Sequence, residues 1–168
     1  MFKVAFACLL SCALPAGGPS KPDVQAALGR AEVYMEEGYD FGVELFDTII
    51  AIADKGETDV DSETWNEVIV PLGIKCGLRL EEAAREIDSV MPDKYHKKEF
   101  WSGVHDCYVG VVRIAGDMKD LSFYQSEYLK ILMDADSFIK MYLTIIHVKL
   151  KSLKTDIENI SKIRNDYK

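Results

Sequence analysis

Three kinds of side chain in this 168-residue sequence could do chemistry: histidines, crowded carboxylates and cysteines. The histidines are His96, His105 and His147. A zinc or general-base site needs a histidine at helical or hairpin spacing from further nitrogen, sulfur or carboxylate ligands, as in His-Glu-x-x-His. His96 and Glu99 can share a helix face and His105 adjoins Asp106, but no second histidine or thiol pair completes either set. His147 lies one turn from Leu143 and reads as a helix-packing residue.

Six carboxylates, Asp54, Glu57, Asp59, Asp61, Glu63 and Glu67, crowd one stretch in the way that calcium sites do. Counted from Asp59, an EF-hand requires Gly where Thr64 stands and Glu where Val70 stands. Both fail, so the stretch reads as a solvated turn whose acids favour the start of the next helix. No Gly-x-Ser-x-Gly, phosphate loop or dinucleotide fingerprint occurs. The expectation is a protein that is not an enzyme, with no catalytic residue, no metal ligand and no cofactor.

The four cysteines divide by position. Cys8 and Cys12 fall in a segment that reads as a secretory signal: Lys3, an apolar run from Val4 to Leu14, then a small-residue zone with cleavage between Gly18 and Ser20. An apolar run of that length is well short of the roughly 20 residues that cross a bilayer. The expected organisation is a signal peptide over residues 1–20 and one helical domain over 21–168, secreted to an extracellular, oxidising compartment. Cys76 and Cys107 remain there. If the turn between their helices centres near Pro92, they stand sixteen residues before it and fifteen after, nearly level in an antiparallel hairpin. A Cys76–Cys107 disulfide is the expectation, the alternative being two inert buried thiols.

The elements that carry these residues follow from the spacing of apolar side chains. Ser20-Lys21-Pro22-Asp23 reads as a capping sequence, and Val24, Leu28, Ala31, Met35, Phe41, Leu45, Ile49 and Ile52 then recur three and four apart as one buried stripe to about Lys55. A second helix opens at Asp61 or Ser62 and carries Trp65, Val68, Ile69, Leu72, Cys76, Ala83, Ile87 and Val90, with a bend or short break at Pro71. A third follows Pro92-Asp93 with Phe100, Trp101, Val104, Cys107, Tyr108, Val111, Ile114 and Met118. The fourth is predicted to begin at Ser122, where Ser122-Phe123-Tyr124-Gln125 fits a capping box, and to run without Gly or Pro to Lys168. Such a helix would span on the order of 65 to 70 Å, so its end should overhang the shorter third helix. Short connections favour an all-α, four-helix, up-down-up-down antiparallel bundle with a long C-terminal helix.

Charge is distributed unevenly. Residues 21–63 hold twelve acidic and three basic side chains, and residues 140–168 hold seven basic and three acidic. The two ends either neutralise each other within the bundle or form opposed docking patches, for which Glu36, Glu37 and Asp40 on one side and Lys149, Lys151 and Lys154 on the other are the candidates. A net charge of -8 disfavours nucleic acid as a partner, and no later stretch is apolar enough for a membrane. Asn159-Ile160-Ser161 is an N-glycosylation acceptor.

These features fit a secreted, non-enzymatic binding protein that inhibits or sequesters an extracellular macromolecule, with an extracellular protein as its target. In general character the chain resembles the small acidic helical proteins of arthropod saliva and venom, a likeness of architecture alone. The alternative is a carrier of a small hydrophobic ligand in the bundle, with Gly38, Gly42, Gly73, Gly77 and Gly110 leaving the room. A third reading is self-association through residues 150–168, where Leu150, Leu153, Ile157, Ile160 and Ile163 continue an apolar edge.

Overall fold

A computed structural model describes residues 19–54, 64–91, 98–123 and 135–167. Ser20 opens the first helix as its composition requires: its hydroxyl and amide both donate to Asp23 Oδ2, and the Asp23 amide donates to Ser20 Oγ at 3.4 Å. This reciprocal closure satisfies donors that a first turn leaves unpaired. Helix α1 then runs Lys21–Asp54, and its apolar stripe is buried from Val24 to Ile52.

The next helical stretch begins in π geometry over Trp65–Ile69 and continues as α2, Val70–Asp88. Pro71 is the physical cause. It has no amide hydrogen to give to the preceding turn, and the chain widens ahead of it so that the Val70 amide reaches back to the Trp65 carbonyl. The bend expected at Pro71 takes this form. The wider turn also rotates the stripe, and Val68 stands 39% exposed between buried Trp65 and Ile69.

Helices α3, Lys98–Phe123, and α4, Ala135–Asp166, complete an all-helical bundle without a strand among the described residues. Ser122 lies within α3, so the fourth helix does not open there as predicted; the residues from 124 to 134 lie outside the described ones. A capping box marks where a helix can begin, but a serine is also tolerated inside one. The end of α4 does not overhang: Tyr167 reaches Gln25 near the start of α1 at 3.2 Å and stacks on Phe100 near the start of α3 at 4.3 Å. The apolar edge at its end is turned inward: Leu150, Leu153 and Ile160 are buried, and Ile157 and Ile163 pack against the same core. These apolar side chains pack on the chain's own core.

Each helix packs on two others, α1 on α2 and α4, and α3 on α2 and α4. Glycines set how closely. A Cβ on Gly38 would meet Leu80 at 2.8 Å, one on Gly42 would meet Leu150 and Met118, and one on Gly77 would come to 3.0 Å from the Ala115 carbonyl. The space at these glycines is filled by neighbouring side chains, which removes the room that a carried ligand would have used there. Two aromatic clusters close the core towards either end of α4. Trp65 meets Tyr142 edge-on at 5.3 Å, and Phe100 stacks on Tyr167 at 4.3 Å while meeting Trp101 at 4.8 Å.

The Cys76–Cys107 bridge is not made: both thiols are free and buried. The register explains why. Gly77, beside Cys76, faces Ala115 and Lys119, so Cys107 is eight to twelve residues along α3 from that level, roughly 12 to 18 Å at the helical rise. Bridged cysteines need Cα atoms within about 7 Å.

Candidate functional site

Most charges at the helix seams are paired. Arg79 of α2 sits between Glu37 of α1 at 3.0 Å and Glu82 at 2.6 Å, with its guanidinium 5.8 Å from the Tyr34 ring centre. Arg30 reaches Glu86 at 2.8 Å, and Lys75 lies 5.6 Å from the Phe41 ring centre. Lys119 pairs with Glu81, Lys149 with Asp117, and Arg164 with Glu32 at 2.9 Å. Of the six residues expected to bind a partner, Glu37 and Lys149 are thus engaged within the chain.

The other four are not. Glu36 and Asp40 are exposed on α1 and extend into a row with Glu44 and Asp47, at spacings of four, four and three residues. Lys151 and Lys154 are exposed on α4, followed by Lys162. None of these seven side chains has an ion-pair partner among the described residues. At 100° per residue, Glu36, Asp40 and Asp47 lie within about 40° of one another, and the three lysines within about 80°. Each set is a strip along one side of its helix.

The strips are neighbours at one height. Gly42 faces Leu150, and the Phe46 ring lies 6.0 Å from that of exposed His147, which fixes the register of α1 against α4. Asp40 and Asp47 flank the first pair of contacts on α1, and Lys151 and Lys154 follow Leu150 on α4. The opposed patches legible in the sequence are therefore one surface, acid on its α1 half and base on its α4 half. The seam between them carries half-buried Val43 and Phe46.

A second feature lies between the start of α3 and the end of α4, a groove of about 520 Å³. Its charged lining is Glu99, Asp106, Asp156 and Asp166 against Lys162. Asp156 packs over Gly110, where a Cβ would come 2.5 Å from its Oδ2. That oxygen is buried with no hydrogen-bond partner among the described residues, and burial raises the carboxyl above its ordinary 3.8, opposed by Arg113. The Cys107 thiol donates to the Asp156 carbonyl at 3.8 Å. Burial pushes the Cys76 and Cys107 thiols up to about 12, so neither is a nucleophile at neutral pH.

Asn159 is exposed at the groove mouth, with its side chain open to solvent. Ser20 is the cap of α1, whereas Gly18 lies outside the described residues, as do His96 and the whole of the acidic run from Glu57 to Glu63. His105 is exposed, 6.4 Å from the Tyr108 ring. Among the described residues no three His, Cys, Asp or Glu side chains converge as metal ligands, and no helix is long and apolar enough to cross a membrane. Reading by charge totals found the acidic and basic ends. It missed Glu44 and Asp47, which helical spacing from Asp40 would have found. Compared with protein-family models, with curated proteins and with solved structures, the chain matches none of them.

Proposed function

We propose that this chain is a secreted, non-enzymatic binding protein that sequesters or occludes an extracellular macromolecule, and that the α1–α4 surface is where it does so. The observation that carries the reading is the exposed carboxylate row Glu36, Asp40, Glu44 and Asp47, without an ion-pair partner among the described residues although Glu32 and Glu37 of the same helix are paired. Unpaired like charges on a rigid helix raise a directional field that steers an oppositely charged partner and speeds its association. The chemistry asks for a protein surface with a basic stripe on the α1 side.

The bundle supplies the rigidity. In this reading its helices alternate up-down-up-down, supported by the contacts of Gln25 with the Tyr167 carbonyl at 3.2 Å and of Phe46 with His147 farther along the same two helices. Passage through the secretory pathway places a glycan on Asn159, supported by the sequon and by its exposure. Glycosidase treatment of the protein secreted from eukaryotic cells then lowers its mass.

The test uses the secreted, immobilised chain and the variant E36Q/D40Q/E44Q/D47Q in extracellular fluid. A defined protein retained by the original chain and released by salt, but not retained by the variant, is the expected result. Equal retention by the two chains would overturn the assignment of this surface.

A further inference from the structure

We infer that the α1–α4 surface also docks a second copy of this chain, about a two-fold axis parallel to the helices. The inference rests on the reading of this surface as an interface and names one partner for it. Acid and base lie on adjacent helices at one height, with Asp40 beside Gly42 on α1 and Lys151 beside Leu150 on α4, and Gly42 and Leu150 in contact. A rotation of 180° about an axis parallel to the helices moves nothing along that axis. It lays α1 of one copy over α4 of the other, and α4 over α1, with every residue at its original height.

Glu36, Asp40 and Asp47 then oppose Lys151 and Lys154 of the second copy, twice over. This is the self-complementarity that a closed, isologous dimer requires. The alternative that lays α1 over α1 sets like charges against each other, so the charge pattern selects one arrangement. Between the strips, Val43 and the Phe46–His147 ring pair supply the less polar centre that interfaces place inside a charged rim. The lysines have no partner in the chain itself among the described residues, so docking forms new pairs without breaking old ones.

Sedimentation equilibrium of the full chain tests this with two charge-swapped variants. E36K/D40K sets lysines against Lys151 and Lys154, and K151E/K154E sets carboxylates against the acidic row. The original chain is expected to double its mass at about 0.01 M ionic strength, where fields reach ~30 Å, and to return to the monomer mass at about 1 M, where they reach ~3 Å. Each variant alone stays monomeric at low salt, with far-UV dichroism reporting an intact helical fold. Mixed one to one, they regain the doubled mass, because both contacts of the mixed pair are then attractive.

An original chain that is monomeric at low salt, or a mixture that stays monomeric, overturns the inference. A monomeric chain that still retains an extracellular partner through the α1 row leaves the binding reading intact. A dimer with no such partner does the reverse.

Discussion

The α1–α2 seam and the α1–α4 outer surface use the same residue types to opposite ends. Along α1–α2, Arg79 is held by two carboxylates and rests on Tyr34, and Arg30 is held by Glu86. Along the outside of α1–α4, Glu36, Asp40 and Asp47 stand beside Lys151 and Lys154 without pairing. The difference lies in reach and company. Glu37 and Glu32 sit where a neighbouring helix offers an arginine fork, whereas Glu36, one position before Glu37, and Asp40, three after it, are exposed. A paired surface charge contributes at most about 1 kcal/mol to the fold, while an unpaired row contributes a field. Paired and exposed carboxylates are thus separated on two sides of one helix.

Leu80 is fully buried and fills the notch at Gly38, so Leu80→Ala opens a cavity where α1 and α2 meet. It is expected to cost about 2 to 5 kcal/mol in denaturant unfolding, and to leave partner binding per folded molecule unchanged. A loss of binding in the folded fraction would tie recognition to that seam.

Asp156 sharpens the comparison, being a charge that is neither paired nor free. Its carboxyl is raised above the unfolded value by burial, so protonation favours the folded state. The stabilisation is full below the ordinary carboxyl pKa and is lost as pH rises through the folded one. Asp156→Asn is therefore expected to raise the melting temperature at pH 7 and to change it little at pH 3, as read by thermal unfolding at the two values. A lower melting temperature at pH 7 would show that the carboxylate is stabilising where it lies.

Much of the fold was legible because helical periodicity is strong and local. Val24 to Ile52 and Trp101 to Met118 are buried in the positions that their spacing dictates, except for half-buried Phe41 and Tyr108, and Ser20 caps where its partner Asp23 required. The junctions were not legible. The Ser122 box falls inside α3, and Pro71 acted through a π turn that turned Val68 outward, because neither cap nor proline chemistry says how neighbouring turns will adjust. The cysteine register failed for the same reason: a few residues of error in a turn become more than 10 Å along a helix. For the candidate surface, composition found the two charged ends. Only the contacts of Gly42 with Leu150 and Phe46 with His147 made them one surface.

The central claim is that the α1–α4 strip serves recognition and not the fold. Its most direct measurement compares the original chain with E36Q/D40Q/K151Q/K154Q in unfolding free energy and in the rate of association with the captured partner across ionic strength. Unfolding is expected to change by no more than about 0.5 kcal/mol, while association slows by about tenfold or more at low salt and loses its salt dependence. A variant that unfolds more readily yet associates at the original rate would contradict the account.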